Sequence, residues 1–245
     1  MQYIMMDINC DMGEGIGNEM NLMPYITSAN IACGYHAGDE NTMQEVIGLC
    51  LEHQVHIGAH PSFADRENFG RRTMELDAKA IHQLIYDQLL NLNKVAGRQG
   101  AKLHHIKPHG ALYNLAARDR RTAQSIVNAV KAFDESLVVY GLSGSVFIDE
   151  AGKMGLQTAH EVFADRTYQD DGSLTPRDLP NAVLTTKEAV LEQVTMIMRE
   201  QAVATTSGRK ISLKADTICL HGDTDRVVEL AKAVYDLIYG KQNRK

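Results

Sequence analysis

Short apolar runs alternate with amphipathic helical patterns along the chain, and this alternation restricts the possible folds more than any other feature. The β-like runs cover residues 5–10, 29–33, 55–59, 105–107, 137–142, 156–163 and 217–220, with 183–185 as a weaker candidate. The helical patterns cover residues 40–53, 78–97, 122–133, 145–154, 187–206 and 225–239. A strand-then-helix order predicts a parallel sheet with right-handed crossovers.

The number of strand–helix units favours a closed barrel over an open sheet. Seven or eight units follow one another without a linker, and the 245 residues are close to the roughly 250 that are typical of a (β/α) barrel. We therefore predict an α/β fold, with one (β/α)-barrel domain of seven or eight strands over residues 1–245. An open doubly wound sheet is the alternative. The long connections at 61–77 and 164–186 are predicted to be lids or binding loops.

Charge and cysteine content exclude several classes of function. The net charge is -6 at pH 7, which argues against nucleic acid or an anionic membrane as a partner. No apolar stretch is long enough to cross a bilayer, and the first residues lack the regions of a signal peptide, so we expect a cytoplasmic protein. The four cysteines form no CxxC pair, which predicts reduced thiols rather than disulfides or a zinc framework.

Polar and titratable side chains follow the apolar runs. In a parallel barrel the carboxyl ends of all strands meet at one rim, so we expect these side chains to converge there. Charged groups in such positions are costly unless they are paired or hydrogen-bonded. The candidates of this rim are Asn9, Asp11, Glu14, His36, Asp39, His60, Lys107, His109, Glu161, Asp165, Arg166, His221 and Asp223.

Each candidate also has a purely structural explanation. Lys107 is the hardest to explain in that way, because a lysine at the inward end of an apolar strand is rarely buried without a partner. Asp11 could instead bind backbone N–H groups in a glycine-rich turn, and His36 and His60 could pack against the barrel wall. For Asp39, a helix N-cap is the better explanation.

The sequence contains no complete local motif for a nucleotide or a metal. The glycines at 13, 15 and 17 lack the GxGxxG spacing, and GxxxxGK[ST], GxSxG and HExxH are absent. Histidines and an aspartate from separate strand ends could still assemble a three-ligand metal site, so the question of a metal stays open. The arginine-rich segment 65–72 is either a solvated loop or a clamp for a carboxylate or phosphate.

Seven segments resemble the motifs of the LamB/YcsF family. They are DINCDMGE at 7–14, ANIACGYHAGD at 29–39, GAHPS at 58–62, FGRR at 69–72, KPHGALYN at 107–114, EVFADR at 161–166 and CLHGD at 219–223. The resemblance implies a barrel of the glycoside hydrolase/deacetylase type. It also implies ATP-dependent opening of 5-oxo-L-proline to L-glutamate, with ADP and phosphate formed, together with the 5-oxoprolinase subunits B and C.

In that scheme, the partner subunits supply some or all of the handling of ATP with Mg²⁺, because this chain has no nucleotide motif. Asp11 or Glu14 would be the general base, and one of the three arginines of the 65–72 segment would hold the substrate carboxylate. The catalytic set is Asp11, Glu14, His60, Lys107 and His109, of which the lysine and the histidines would stabilise negative charge on oxygen. The substrate-binding set is Asn9, Asn30, His36, Arg66, Arg71, Arg72, Glu161 and His221.

Two other functions remain open at this point. The same barrel could carry a stand-alone, metal-dependent deacetylase or carbohydrate hydrolase, which needs a metal and no partner. Alternatively, the chain could be a non-catalytic lactam-binding subunit whose partners do all of the chemistry. The first alternative is tested by metal content and chelation, and the second by whether changes at the rim alter affinity but never turnover.

Overall fold

Seven parallel strands close into a barrel. The computed structural model describes residues 6–221 and 226–240. The barrel strands are β1 (Asp7–Met12), β2 (Ser28–Ala32), β3 (His56–His60), β4 (His105–Ile106), β5 (Val138–Leu142), β6 (Thr158–Phe163) and β9 (Thr217–Leu220). Neighbours in this order are hydrogen-bonded and parallel, and β9 closes the barrel against β1. The prediction of a parallel α/β barrel is confirmed, with seven strands.

Helices follow the strands and cover the outside of the barrel. They are α1 (Glu19–Leu22), α2 (Glu40–His53), α3 (Ala78–Arg98), α4 (Gly110–Ala116), α5 (Arg120–Phe133), α6 (Val146–Lys153), α7 (Lys187–Glu200) and α8 (Val227–Tyr239), with a short 3-10 turn at Met23–Tyr25. Asp39 caps α2 by accepting a hydrogen bond from the Thr42 N–H, as its position predicted. Within residues 6–221 and 226–240, no helix combines the length and the apolar character that a membrane span requires.

The structure corrects the sequence-based boundaries in the C-terminal third. The helix predicted over 187–206 ends at Glu200, because Gln201 takes a left-handed conformation with φ of 47°. The chain then forms β7 (Ala202–Ala204), which pairs antiparallel with β8 (Lys210–Ser212) outside the barrel. The weak strand candidate at 183–185 is no barrel strand, since Val183 makes only an isolated bridge.

One further helix differs from the prediction, and three predicted positions lie outside the described residues. Helix α4 was not predicted, although its residues lie within one of the motifs. The first residue of the first predicted strand, Met5, lies outside the described residues. The same is true of Asp223, which follows the last strand, and of Asp225, where the last helix was predicted to begin.

The inside of the barrel is polar, and its polar groups bind one another. At the amino-terminal end of β1, the Asp7 carboxylate accepts hydrogen bonds from Thr27 (2.6 Å), Ser28 (2.6 Å) and Thr217 (2.5 Å). In the middle, the ring of His105 stacks on Tyr140 with centroids 4.1 Å apart. Because buried polar groups are costly when unpaired, this closed network fixes the side chains on which the carboxyl-terminal rim rests.

Candidate active site

A cavity of about 680 Å³ is lined by residues that follow the carboxyl ends of the barrel strands. Both long connections contribute to its wall: Arg71 and Thr73 come from the first, and residues between Arg166 and Asp178 come from the second. Of the predicted site residues, those in the wall are Asp11, Glu14, His60, Arg71, Lys107, His109 and His221.

Lys107 lies at the base of this cavity with its ammonium group between two carboxylates. Its Nζ is 2.9 Å from Asp11 Oδ1 and 2.8 Å from Glu161 Oε1, and it donates to Asn9 Oδ1 at 3.1 Å. The side chain is only 3% exposed. Burial alone would lower the pKa of Lys107, but the acidic groups around it, Asp11 first, raise that pKa well above its usual range. Lys107 is therefore a fixed positive charge.

Two asparagines orient this charged group from below. Asn30 Nδ2 donates to both Asn9 Oδ1 and Asp11 Oδ1, each at 2.8 Å, and Asn9 Nδ2 donates to Thr217 Oγ1 at 2.7 Å. Both asparagines are fully buried and lie outside the cavity wall. Their side chains thus position Asp11 and Lys107.

Asp11 connects the lysine to a cluster of histidines. Its Oδ1 receives the lysine ammonium, and its Oδ2 lies 3.3 Å from His60 Nε2. Burial would raise the pKa of Asp11, but His60 and Lys107 outweigh burial and hold the pKa well below its usual range. Asp11 is therefore ionised. One of its oxygens contacts Lys107 and the other contacts His60, so both groups interact with its negative charge.

The histidine cluster consists of Glu14, His36, His60 and His109. Glu14 Oε1 lies 3.2 Å from His36 Nε2, 3.2 Å from His109 Nδ1 and 3.7 Å from His60 Nε2. His60 Nε2 and His109 Nδ1 are 2.9 Å apart. One donor atom from each of the four residues falls within 4.8 Å of all the others. These residues stand at or just after the ends of the first strands of the barrel, as expected for the carboxyl-terminal rim.

Backbone carbonyls determine which nitrogens of two rings carry hydrogen. His60 Nδ1 donates to the carbonyl oxygen of Lys107 at 2.7 Å, and His109 Nε2 donates to that of Phe69 at 2.9 Å. When these rings are neutral, the other nitrogen of each ring carries a lone pair. These nitrogens, His60 Nε2 and His109 Nδ1, face the centre of the cluster and are called the inner nitrogens. Burial, and then the neighbouring His60 and His36, lowers the pKa of His109 well below its usual range. In metal-ligating histidines, one ring nitrogen typically binds the metal while the N–H on the other side of the ring donates to a backbone carbonyl or a carboxylate.

The last strand contributes a second histidine–carboxylate pair. His221 Nδ1 lies 2.9 Å from Asp165 Oδ1, and the His221 ring stacks on Phe163 with centroids 5.4 Å apart. Asp165 is 1% exposed. Burial would raise its pKa, but the contact with His221 lowers it. A ring nitrogen of His221 lies within 4.8 Å of a carboxylate oxygen of Asp11, so this pair faces the lysine site.

The three predicted arginines have different surroundings. Arg66 donates to the carbonyl oxygens of Gly34 and Gly38, at 3.1 Å and 2.6 Å, and so holds the turn between β2 and α2. Arg71 lies in the cavity wall, with its guanidinium carbon 5.1 Å from the centre of the Phe69 ring. Arg72 is exposed and lies outside that wall. Only Arg71 of the three is placed to meet a ligand in the large cavity.

Other site residues were outside the predicted catalytic and substrate-binding sets, although Asp165 and Arg166 were among the polar residues expected at the rim. Asp165 stood in a recognised motif, but its pairing with His221 depends on the register of β6 with β9. Tyr113, on the unpredicted helix α4, donates to Glu161 Oε2 at 2.6 Å. The wall also contains three further arginines, Arg118, Arg166 and Arg177. For Tyr113, the available signal was its place in the same motif as Lys107.

A closed parallel barrel with buried, paired charges at the carboxyl ends of its strands defines a (β/α)-barrel protein with an enzyme-type site. The family model described as the LamB/YcsF family matches residues 6–244, and this chain belongs to that family. The A subunit of 5-oxoprolinase from Shouchella clausii (strain KSM-K16) is 48% identical over 231 residues, which are 92% of this chain and 91% of the relative.

Solved structures give the same assignment of fold. The lactam utilization protein from Thermus thermophilus is 37% identical, and the alignment covers 95% of each chain with a TM-score of 0.88. A GH113 β-1,4-mannanase aligns over 96% of this chain and 99% of its own, with a TM-score of 0.52 and 11% identity. That likeness concerns the fold alone, and it agrees with the predicted parallel α/β barrel.

Proposed function

We propose that this chain is the subunit of an ATP-dependent 5-oxoprolinase that holds 5-oxo-L-proline while its lactam ring is opened to L-glutamate. The observation that carries the proposal is Lys107, a buried cation between two carboxylates at the base of the cavity. It occurs in a chain that is 48% identical to a protein named as the A subunit of 5-oxoprolinase. We place the reaction in the cytoplasm, with no nucleic acid or membrane involved.

Coupling to ATP follows from the chemistry of the substrate. A γ-lactam amide is a poor electrophile, and its ring closure competes with hydrolysis. One water molecule opens the lactam and another accounts for the conversion of ATP to ADP and phosphate. We assign the handling of ATP and Mg²⁺ to the partner subunits B and C, because this chain has no nucleotide motif.

Lys107 would stabilise the negative charge that develops on the lactam oxygen. Attack by water on the lactam carbon moves an electron pair onto that oxygen, and a preorganised ammonium group lowers the energy of this state. Asp11 and Glu161 hold the ammonium in place, and Tyr113 holds Glu161 through the 2.6 Å hydrogen bond. The substrate-binding roles predicted for Asn9, Asn30 and Glu161 thus become roles in positioning the lysine.

For the general base, the contacts favour His221 over Asp11, one of the two acids that the sequence suggested. Asp11 is engaged by Lys107 and Asn30, with a pKa held well below its usual range, so it is a weak base. The Asp165 carboxylate orients His221 through Nδ1, which leaves Nε2 to take a proton from the attacking water. The imidazolium then returns this proton to the lactam nitrogen as the C–N bond breaks.

The arginines of the wall would hold the anionic parts of the ligand. Arg71 is the candidate for the substrate carboxylate, since a guanidinium group binds a carboxylate through two parallel hydrogen bonds. Arg118, Arg166 and Arg177 line the same cavity and would accept phosphate or an O-phosphorylated lactam delivered by the partner subunits.

The test is a glutamate-release assay with 5-oxo-L-proline and ATP, run with this chain, with subunits B and C, and with all three. We expect glutamate only from the complete set. In that set, Lys107→Met should reduce turnover by at least about 100-fold. The matched control is Lys94→Met at an exposed position of α3, which should leave turnover unchanged.

The same assay distinguishes the rival functions. Wild-type turnover and ATP consumption in the Lys107→Met complex would rule out the proposed role of the lysine. Changes in affinity without any change in turnover would favour the non-catalytic lactam-binding subunit. Hydrolysis by this chain in the absence of both partners would favour the metal-dependent hydrolase.

A further inference from the structure

We infer that Glu14, His36, His60 and His109 bind one divalent transition-metal ion of the zinc class, beside the lysine site. Four potential ligand atoms converge there: Glu14 Oε1, His36 Nε2, His60 Nε2 and His109 Nδ1. Four of the six separations between them are 2.9, 3.2, 3.2 and 3.7 Å. A tetrahedral ion with bonds of about 2.1 Å places its ligand atoms about 3.4 Å apart, so the cluster already has the required dimensions.

In the described part of the chain, the inner nitrogens of His60 and His109 have hydrogen-bond acceptors as neighbours. No hydrogen-bond donor to either nitrogen is present there. The outer N–H groups of these rings are used by the carbonyls of Lys107 and Phe69. The neighbours of His60 Nε2 are then the inner nitrogen of His109 and carboxylate oxygens of Asp11 and Glu14. Lone pairs and carboxylate oxygens repel one another when nothing positive lies between them. A proton would relieve this repulsion for one pair of atoms, whereas a metal ion would satisfy all four ligand atoms at once.

The type of ion follows from the donor atoms. Three imidazole nitrogens and one carboxylate oxygen suit zinc, cobalt, nickel or iron, whereas magnesium and calcium prefer oxygen ligands. The cluster carries one negative charge when its imidazoles are neutral, and the adjacent Asp11 carboxylate adds a second. Lys107 pairs with Asp11 but also with Glu161, so it does not neutralise the cluster, and a divalent ion would supply the missing positive charge.

An entry path is also present. Glu14, His60 and His109 line the large cavity, while Glu14 and His36 line a smaller pocket together with Arg66 and Phe69. An ion bound at Glu14 would thus be next to both openings. The buried rings of His36 and His109 stack with centroids 4.0 Å apart and an angle of 8°, which keeps both rings in place before an ion arrives.

The binding of the ion and its use are separate statements. If the ion accepted a fifth ligand, it could polarise the lactam or phosphoryl oxygen next to Lys107, and this role rests on the proposed function. The binding itself needs neither lactam, ATP nor partner subunits. It is therefore measured on the chain alone, and its failure would leave the lactam reaction untouched.

The experiment is titration of the chelator-treated chain with Co²⁺, followed by competition with Zn²⁺. We expect one Co²⁺ per chain, the visible absorption of a four-coordinate cobalt site, loss of that absorption on addition of Zn²⁺, and a higher Tm with either ion. His60→Asn and His109→Asn should each weaken binding by at least about 100-fold, because even loss of an outer hydrogen-bond partner costs 10–100-fold.

The matched control is His56→Asn. His56 also stacks on another histidine, His104, with centroids 4.1 Å apart, but it lies at the start of β3, at the opposite end of the strand from His60. Its replacement should leave the cobalt spectrum and affinity unchanged. Absence of stoichiometric uptake by the wild-type chain would overturn the inference, and so would uptake that both ligand variants retain. Detection by NMR of a stable proton between His60 and His109 in the presence of excess Zn²⁺ would overturn it as well.

Discussion

The ring of His105 occupies the space in which any side chain at Gly58 would lie. A Cβ atom at position 58 would be 2.0 Å from His105 Nε2, and the two residues are paired across β3 and β4. The ring is fixed there by the contact of Nε2 with Asn30 Oδ1 at 2.8 Å. We predict that Gly58→Ala lowers the free energy of unfolding by about 3 kcal/mol, the upper end of the usual cost of overpacking, because a packed barrel has little room to adjust. Urea denaturation measures this change.

Two variants make this prediction specific. Gly97→Ala adds the same methyl group in helix α3, where nothing beyond the adjacent residues and the local helix backbone lies within 4 Å, and should leave the protein as stable or up to about 1 kcal/mol more stable. In the double variant Gly58→Ala/His105→Ala, the imidazole ring is gone, so the added methyl group no longer overlaps with it. Its loss of stability should thus be smaller than the sum of the two single losses. Additive losses would show that the overlap with the ring is not the cause.

His105 also predicts how stability depends on pH. Burial, followed by the positive charges of neighbouring groups, lowers the pKa of His105 well below its usual range. The unfolded chain therefore binds a proton more readily than the folded one, and stability is complete above pH of about 6.5 and falls below it, by up to about 1.4 kcal/mol per pH unit. The titratable groups that face this ring are His56, His60, His104, Lys107 and Tyr140.

His105→Gln isolates this contribution. Glutamine does not titrate, so urea midpoints measured from pH 8 to pH 5 should fall less steeply in the variant than in the wild type. The variant should be less stable at pH 8, since it loses the stacking on Tyr140. Parallel curves would mean that other buried histidines account for the acid sensitivity.

Much of the architecture followed from the sequence because spacing in the chain determines it. Seven apolar runs of strand length, separated by amphipathic helices, permit few arrangements, and the rule that parallel strands end at one rim brought Asp11, His60, Lys107 and His109 together in advance. The end of helix α7 was missed because helical periodicity in residues 201–206 competes with a hairpin that only Gly208 and its partner strand reveal.

The detailed partners in the site could not be read from the sequence. Asp165 meets His221 only because β6 and β9 are neighbours in a register that pairs Phe163 with Cys219. Likewise, which arginine of the 65–72 segment enters the cavity depends on the course of a loop without repeating geometry. Residue type and order predict that a site exists, whereas register and loop conformation decide which atoms touch.

Asp165→Asn should impair turnover more than binding. The carboxylate holds His221 through Nδ1 at 2.9 Å, so its replacement by an amide frees the ring to take the wrong tautomer. In the three-subunit complex, we expect kcat to fall by about 100-fold or more, with little change in KM, because general-base catalysis contributes 10²–10⁴-fold. The NMR resonance of the His221 Nδ1 proton should be lost in parallel.

The control for this variant is Asp171→Asn. Asp171 lies in the same cavity wall but is exposed, and its carboxylate accepts hydrogen bonds from Ser173. Its replacement should leave both kcat and the His221 resonance unchanged. An Asp165→Asn complex that kept its kcat would rule out the base role of His221. A parallel rise in KM would instead assign the pair to substrate binding.

Arg71→Met should weaken the binding of 5-oxo-L-proline. Arg71 is the one member of the 65–72 segment's three arginines that lies in the wall of the large cavity, and hydrogen bonds to a charged group contribute about 1.5–3 kcal/mol. We therefore expect KM for the lactam to rise by about tenfold or more, with a smaller effect on kcat. Steady-state kinetics of the complete complex provide both parameters.

Variants of the two neighbouring arginines test whether the effect of Arg71 comes from its position in the cavity or from its charge alone. Arg72→Met removes the same charge one residue away, outside the cavity wall, and should leave KM unchanged. Arg66→Met removes the two hydrogen bonds to Gly34 and Gly38 and should lower the Tm, since the turn that carries His36 loses its support. Equal increases in KM for Arg71→Met and Arg72→Met would mean that the segment attracts the substrate by long-range charge alone, and the carboxylate would then need another partner in the cavity.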